Sequence, residues 1–232
     1  MLDRVEQFIY NELVLDEQFV AILRGIARAH RAMLVDCSAI ENNERRIRNY
    51  LYEHYLSNGL FKEKHGLFPF HFEPEPAEIK DGEEVGYLDI KVITFDTFKE
   101  PKNYYTVECK KLDGKYKLIK PKTETKYLSN SLATEYIENG VFRFVSQQYP
   151  TPLGVNGMIG FVVEAVDIEE GITDIASLMQ ERFTNCKTSR VLEKVLSDDD
   201  FEFTFLSTHQ DVEENVFDLY HLMLDFSPIV RR

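Results

Sequence analysis

Apolar and polar positions repeat with helical spacing up to about residue 58, and the period then shortens to that of strands. Over "DEQFVAILRGIARAHRAML" (16–34), Phe19, Ile22, Leu23, Ile26 and Met33 form the stripe of a helix that buries one face. Arg24, Arg28 and Arg31 fall on another face and read as its solvated side. The preceding "MLDRVEQFIYNELVLDEQF" is acidic and amphipathic, so residues 1–37 are expected to form N-terminal helices. A further helix is expected from "SAIE" to "LSNG": Ser38 can cap it, Glu41 can complete a capping box three residues later, and Gly59 stops it. Ile40, Ile47 and Leu51 make its inward stripe. Glu44 lies in the same row, where a carboxylate is costly to bury without a cation or metal beside it.

From Leu67 the pattern alternates. "LFPFHFEPEP" reads as a strand, "DGEE" (81–84) as a turn and "VGYLDIKVITF" as a long second strand. "KEPKN" makes the next turn, and "YYTVECKKL" (104–112) is the third strand of the meander. A helix over "YLSNSLATEYIENGVFRFVSQQY" then crosses to a very apolar strand, "NGMIGFVVEAV". Beyond it come a helix at "DIASLMQERF", an acidic loop "SDDD" (197–200) and two strand-like runs, "FEFTFLSTH" and "VFDLYHLMLDF". This order predicts an α/β fold with a mixed central β-sheet flanked by helices, as a single domain over 1–232.

Within the second strand, Leu88, Ile90 and Val92 share one face and Tyr87, Asp89 and Lys91 the other; in the third, Val107 and Cys109 oppose Glu108 and Lys110. A hairpin that brings Asp89 opposite Glu108 gathers two carboxylates and an ammonium, with Glu44 approaching from the packed helix. The plainer alternative is an exposed ladder in which Glu108 pairs with Lys91 or Lys110. A convergent cluster would repel itself unless a divalent cation neutralised it, and hard oxygen ligands select Mg2+ or Mn2+. Asp89, Glu108 and the backbone carbonyl of Cys109 would then hold the metal, and Lys110 would orient or deprotonate the attacking water. Glu44 would complete the shell or bind a second ion, with Glu41 the other candidate for the helix acid.

Asp89 in "GYLDIKV", then Glu108 and Lys110 in "TVECKKL" nineteen residues later, with a helix acid upstream at Glu44, resemble the motif of the PD-(D/E)xK, or restriction-endonuclease-like, nuclease superfamily. The element order from Ser38 to Val166, helix, three strands, helix and strand, is also that superfamily's. Leu88 stands where the motif's name has proline, and the glutamine and tyrosine pair that some exonuclease branches carry after the third strand is missing at the usual spacing. The resemblance implies a restriction-endonuclease-like core (αβββαβ) at 38–166, between N-terminal helices at 1–37 and an acidic C-terminal extension at 167–232. It implies a Mg2+- or Mn2+-dependent phosphodiesterase that acts on DNA in most members and on RNA in a minority. Without a target-recognition domain, such an endonuclease would work as the cleaving subunit beside a partner protein, as effector subunits of bacterial anti-phage defence do. Whether it is a homo-oligomer stays open.

The helix after the third strand places Tyr136, Gly140, Arg143 and Gln147 in one stripe, opposite Ile137, Val141 and Phe144. Glycine inside a helix often marks a close approach, so Arg143 and Gln147, with Tyr136 in their stripe, are candidates to face a nucleic-acid phosphate. Lys111, a further candidate to contact nucleic acid, lies in a segment, 110–126, with seven lysines against Asp113 and Glu124. The formal charge is −13, but residues 161–232 hold sixteen acids and six bases, so the first 160 residues carry only −3. The positive field thus follows the third strand, while the net charge favours a second reading: a non-catalytic interaction or nucleic-acid-mimicking protein that keeps the fold.

Three cysteines without C-x-x-C spacing exclude a disulfide framework or zinc knuckle, and six histidines without H-x-x-x-H or H-E-x-x-H spacing argue against a zinc hydrolase. No phosphate-gripping G-x-x-x-x-G-K-[ST] loop occurs. No apolar run approaches the roughly 20 residues of a membrane span, and the N-terminus lacks the layout of a secretory signal; a cytoplasmic protein with no membrane partner is expected.

Overall fold

The N-terminal apolar stripe folds as one continuous helix, α1 (Arg4–Asp36), in place of the several helices expected. In the computed structural model, which describes residues 4–80, 83–94, 104–113 and 131–231, its Phe19, Ile22, Leu23, Ile26 and Met33 are all buried. Its arginines are partly exposed, as a solvated face would be, but each is also paired. Arg24 donates to Asp198 at 2.8 Å, Arg28 donates to Asp200 at 2.7 Å, and Arg31 reaches Asp200 and the Asp199 carbonyl. The acidic loop at 197–200 is therefore a clamp on α1, joining positions more than 165 residues apart.

The capping box expected at Ser38 and Glu41 does not form. Ile40–Glu41 is instead a short strand, β1, whose Ile40 N–H donates to the Ile229 carbonyl at 2.8 Å and which pairs in parallel with Val230–Arg231. Backbone engaged in a ladder cannot begin a helix, so the cap moves to Asn43, whose side chain accepts from the Arg46 N–H at 3.1 Å. Helix α2 runs Glu44–Leu51 and continues through a π turn at Tyr52–Leu56. Ile40 thus lies outside the row that Ile47 and Leu51 form. Asn58 then caps α3 (Gly59–Lys64).

The expected first and second strands form a hairpin that is bent into two. β2 (Phe70–Pro74) pairs with β5 (Ile90–Thr94), while β3 (Ala77–Lys80) and β4 (Glu83–Tyr87) make a separate two-stranded ribbon. Across the bend, Glu75 N–H donates to the Asp89 carbonyl and Leu88 N–H to the Pro76 carbonyl, both at 3.1 Å. The long strand over 85–95 is thereby interrupted at Leu88, which packs in a different apolar cluster from Ile90 and Val92. The core of the "DGEE" turn at 81–82 and the "KEPKN" turn lie outside the described residues.

β6 (Tyr104–Leu112), expected as the third strand, lies antiparallel to β5. Ser131 caps α4 (Leu132–Tyr136), which passes through a π turn at Ile137–Val141 into α5 (Phe142–Val145); residues 127–130 of the expected helix lie outside the described residues. The crossover leads to β7 (Val155–Val162), parallel to β6 and buried along its whole length. After α6 (Ile168–Arg182) come β8 (Thr188–Lys194), which alternation did not predict, β9 (Thr204–Gln210) and β10 (Val216–Asp225); the strand that pairs with β1 is β11 (Val230–Arg231). β10 lies parallel to β7, so the main sheet is mixed, in the order β2-β5-β6-β7-β10-β9-β8, and the acidic C-terminal part extends it. Apolar side chains cover both faces, one cluster beneath α1 and α2 and the other beneath α4, α5 and α6. No described helix is long and apolar enough to cross a membrane.

Between β9 and β10 runs a buried polar chain: Ser207 Oγ is 2.6 Å from His209 Nε2 and 2.7 Å from His221 Nε2, whose Nδ1 is 2.8 Å from the Tyr136 hydroxyl. Burial pushes His209 down to about 4 and His221 well below the ordinary histidine value.

The clamp and the histidines each predict a stability effect. Asp200→Ala should lower the thermal midpoint by about 2–6 °C, whereas Asp199→Ala, which keeps the carbonyl that Arg31 uses, should move it by about 1 °C or less. Between pH 6.5 and about 4 the unfolded chain binds a proton that His209 refuses, so stability should fall as pH drops through that window. His209 alone accounts for a loss on the order of 3 kcal/mol. Urea unfolding at pH 7 and 4.5 measures it, and His209→Asn should flatten the difference.

Candidate active site

Alternation along β6 sends Tyr105, Val107 and Cys109 into the cluster beneath α1 and α2, leaving Glu108 and Lys110 on the other face. Ile90 lies opposite Val107, and one step further along that register sets Asp89 beside Glu108. Asp89 Oδ2 accepts the Cys109 N–H at 2.8 Å, which ties the carboxylate to β6. Glu108 is only 1% exposed, so the alternative of an exposed ladder fails, and Lys91 lies 4.2 Å from the centre of the Tyr104 ring.

Lys110 Nζ donates to Glu108 Oε1 at 2.5 Å and to the Cys109 carbonyl at 3.0 Å. It also lies 3.6 Å from Glu44 Oε1 and 3.9 Å from Asp89 Oδ2. Glu44 opens α2 and accepts the Lys111 N–H at 2.8 Å, while Lys111 Nζ reaches the Asn42 side chain at 3.2 Å. The helix acid at this site is therefore Glu44; Glu41 stands exposed, 3.7 Å from Arg46. Arg143 Nη1 is 3.2 Å from Glu108 Oε1 and also donates to the Tyr149 hydroxyl, which in turn donates to the Tyr87 carbonyl at 2.9 Å. Gly140 is closely packed by side chains. A Cβ there would lie 2.4 Å from Met158 Cε and 3.6 Å from Lys110 Cγ, so the close approach is by the chain's own side chains.

Two of the expected nucleic-acid-facing residues lie elsewhere. Tyr136 is fully buried against His221, and Gln147 lies beyond α5 with φ of 55° and its amide donating to Asp211 at 2.8 Å. The wider winding of the π turn takes Tyr136 out of register with Arg143, and the helix ends at Val145, before Gln147. Conversely, Arg48 and Glu75 escaped notice. The Arg48 side chain is 4% exposed, pairs with Asp89, and donates to Glu75 Oε1 at 2.5 Å; Arg45 holds Glu75 Oε2 at 2.7 Å. A signal existed, since Arg48 falls between Ile47 and Leu51 on the inward side of α2 and one turn after Glu44.

Burial and neighbouring Asp89 push Glu108 up to about 8, against the pull of Lys110 and Arg143. For Lys110, burial acts downward, but Glu108, Asp89 and Glu44 outweigh it and hold the ammonium above its ordinary range. Arg48 is likewise raised, because Asp89 and Glu75 outweigh its burial. Burial lifts the Cys109 thiol far up, and that residue serves the site through its backbone, the N–H to Asp89 and the carbonyl to Lys110.

The chain matches no known family model, no curated protein and no solved structure.

Among the described residues, no three histidine, cysteine, aspartate or glutamate side chains form a metal cage. The expected self-repulsion is relieved instead by the chain's own cations, Arg48, Lys110 and Arg143, which stand among the acids. One atom remains unmatched: Glu108 Oε2 is buried without a hydrogen-bond partner. A carboxylate oxygen in that condition is costly, and a divalent ion would satisfy it, which makes Asp89, Glu108 and the Cys109 carbonyl a candidate set of hard oxygen donors.

If the cluster is self-neutralised, Lys110→Met should destabilise the protein by about 3 kcal/mol above pH 8, where Glu108 is ionised and loses its nearest cation, and by less at pH 6. Adding Glu108→Gln should recover at least about half of that loss, a coupling that urea denaturation of the three variants measures.

Proposed function

We propose that this chain is a metal-dependent nuclease that hydrolyses phosphodiester bonds, an endonuclease acting on DNA as the cleaving subunit of a larger assembly. The observation that carries this reading is the convergence of Asp89, Glu108 and Lys110 from paired strands, with Glu108 Oε2 buried and unmatched. The order α2, β2, β5, β6, α4–α5 and β7, with β6 and β7 parallel, supports assignment of a restriction-endonuclease-like core, the β3–β4 ribbon being an insertion into it.

Asp89, Glu108 and the Cys109 carbonyl would hold the ion, which when bound acidifies its water and neutralises charge on the phosphodiester. Lys110, already a donor to Glu108 and the Cys109 carbonyl, would steady the attacking water and the charge that grows on phosphate oxygen. Arg143 keeps Glu108 oriented from the opposite helix and brings a second positive charge to the same oxygen. Glu44 would orient Lys110 and the backbone of Lys111 at the mouth of the site. Tyr149 fixes Arg143 by joining it to the Tyr87 carbonyl.

A second reading has an observation of its own. Arg48, Lys110 and Arg143 already compensate the acids, and a non-catalytic subunit that retains the scaffold needs nothing more. Plasmid nicking in Mg2+ or Mn2+ separates the two. The nuclease should convert supercoiled DNA to nicked and linear forms, and Glu108→Ala or Lys110→Ala should slow it at least about 100-fold. Equal cutting by all three proteins would expose a contaminant, and no cutting by the wild type, on DNA or RNA, would leave the non-catalytic reading.

A further inference from the structure

Arg48 pairs with a proposed metal ligand, Asp89, yet has no part in the hydrolysis proposed above. Its guanidinium bridges two carboxylates through separate nitrogens, Nη1 to Asp89 Oδ1 and Nη2 to Glu75 Oε1 at 2.5 Å. Nε and Nη2 also lie 3.3 and 3.2 Å from Asn49 Oδ1. With the side chain 4% exposed, water does not readily stand in for either carboxylate. Because the two bonds use different nitrogens, one can open while the other holds the guanidinium in place.

The surroundings are arranged for that exchange. Asp89 Oδ2 stays on the Cys109 N–H at 2.8 Å, so the carboxylate keeps its direction when Oδ1 changes partner. Glu75 is fixed from three sides: Arg45 holds Oε2 at 2.7 Å, its own N–H donates to the Asp89 carbonyl at 3.1 Å, and its backbone is in the left-handed region at φ 49°. A non-glycine residue held there by its neighbours is costly, and such positions cluster where a site requires them. The bend that interrupts the hairpin therefore delivers Asp89 and its companion carboxylate to the same arginine.

We propose that Arg48 is an internal counter-cation that holds Asp89 until a divalent ion replaces it, and that Glu75 retains the guanidinium after the exchange. This rests on the metal-dependent reading above. Release of Asp89 Oδ1 adds a second carboxylate oxygen to the unmatched Glu108 Oε2, and like charges oppose simultaneous occupation of Asp89 by the ion and Arg48. Arg48 is thus a positioning residue that sets how readily the site loads.

Calorimetric titration of Mn2+ alone into the full chain tests this without any turnover. Arg48→Met should bind Mn2+ about tenfold more tightly than the wild type, because one charge-assisted bond no longer has to be broken. Glu75→Gln should bind several-fold more weakly, because Arg48 then belongs to Asp89 alone. Asp89→Asn in the Arg48→Met background should abolish the gain. A merely structural role predicts weaker binding in both single variants, and equal or weaker binding by Arg48→Met overturns the exchange while the metal-dependent reading stands. Absence of Mn2+ binding in every protein overturns both. Should Arg48→Met fail to fold, judged by circular dichroism, Glu75→Gln still tests the exchange: unchanged or tighter binding overturns it.

Discussion

Glu108 is a carboxylate set into the centre of a sheet whose two faces are both covered, and much of the neighbouring structure compensates that choice. A charge removed from water costs several kcal/mol unless cations and donors surround it. The compensating cations come from separate elements: Lys110 from the same strand, Arg143 from α5, and Arg48 from α2 through Asp89. Each needs its own support. Gly140 leaves room for Met158 and the Lys110 stem, Tyr149 steadies Arg143, and Glu75 steadies Arg48.

The remainder of the fold makes that burial possible. β6 and β7 are interior strands because β10, β9 and β8 extend the sheet on one side and β5 and β2 on the other. α1 covers one face and is itself fastened by Arg24, Arg28 and Arg31 to the loop at 198–200. Part of the acidity of the C-terminal segment is therefore consumed inside the molecule, which makes the net charge of −13 a poor guide to what its surface attracts.

Features that depend on near neighbours in sequence were legible. Alternation over 104–112 located β6, and the Asp89, Glu108 and Lys110 spacing located the strands that the register brings together. The acidic loop, the interior β7 strand and the close approach at Gly140 were legible for the same reason. What failed depends on distant partners or on a break in regularity. Ser38 and Glu41 make a sound capping box until the strand pairing of Ile40 with Val230 takes their backbone. Tyr136 and Gln147 share Arg143's stripe only in a uniform helix; the π turn breaks it on the Tyr136 side, and the helix end at Val145 breaks it on the Gln147 side. Arg48, 41 residues from Asp89, was hidden because nothing in α2 names its partner. The bend at Glu75 was hidden because its left-handed backbone is carried by glutamate, without the glycine that usually announces such a turn.

The proposed function stands on Asp89, at the entry to β5, and Glu108 of β6 forming a cation site through the Glu108 oxygen that no group of the chain matches. Anomalous diffraction from crystals soaked in Mn2+ tests it most directly. A manganese peak is expected within bonding distance of Glu108 Oε2 and an oxygen of Asp89. An ordered site with Glu108, Lys110 and Arg143 unchanged and no peak between the two carboxylates would contradict it.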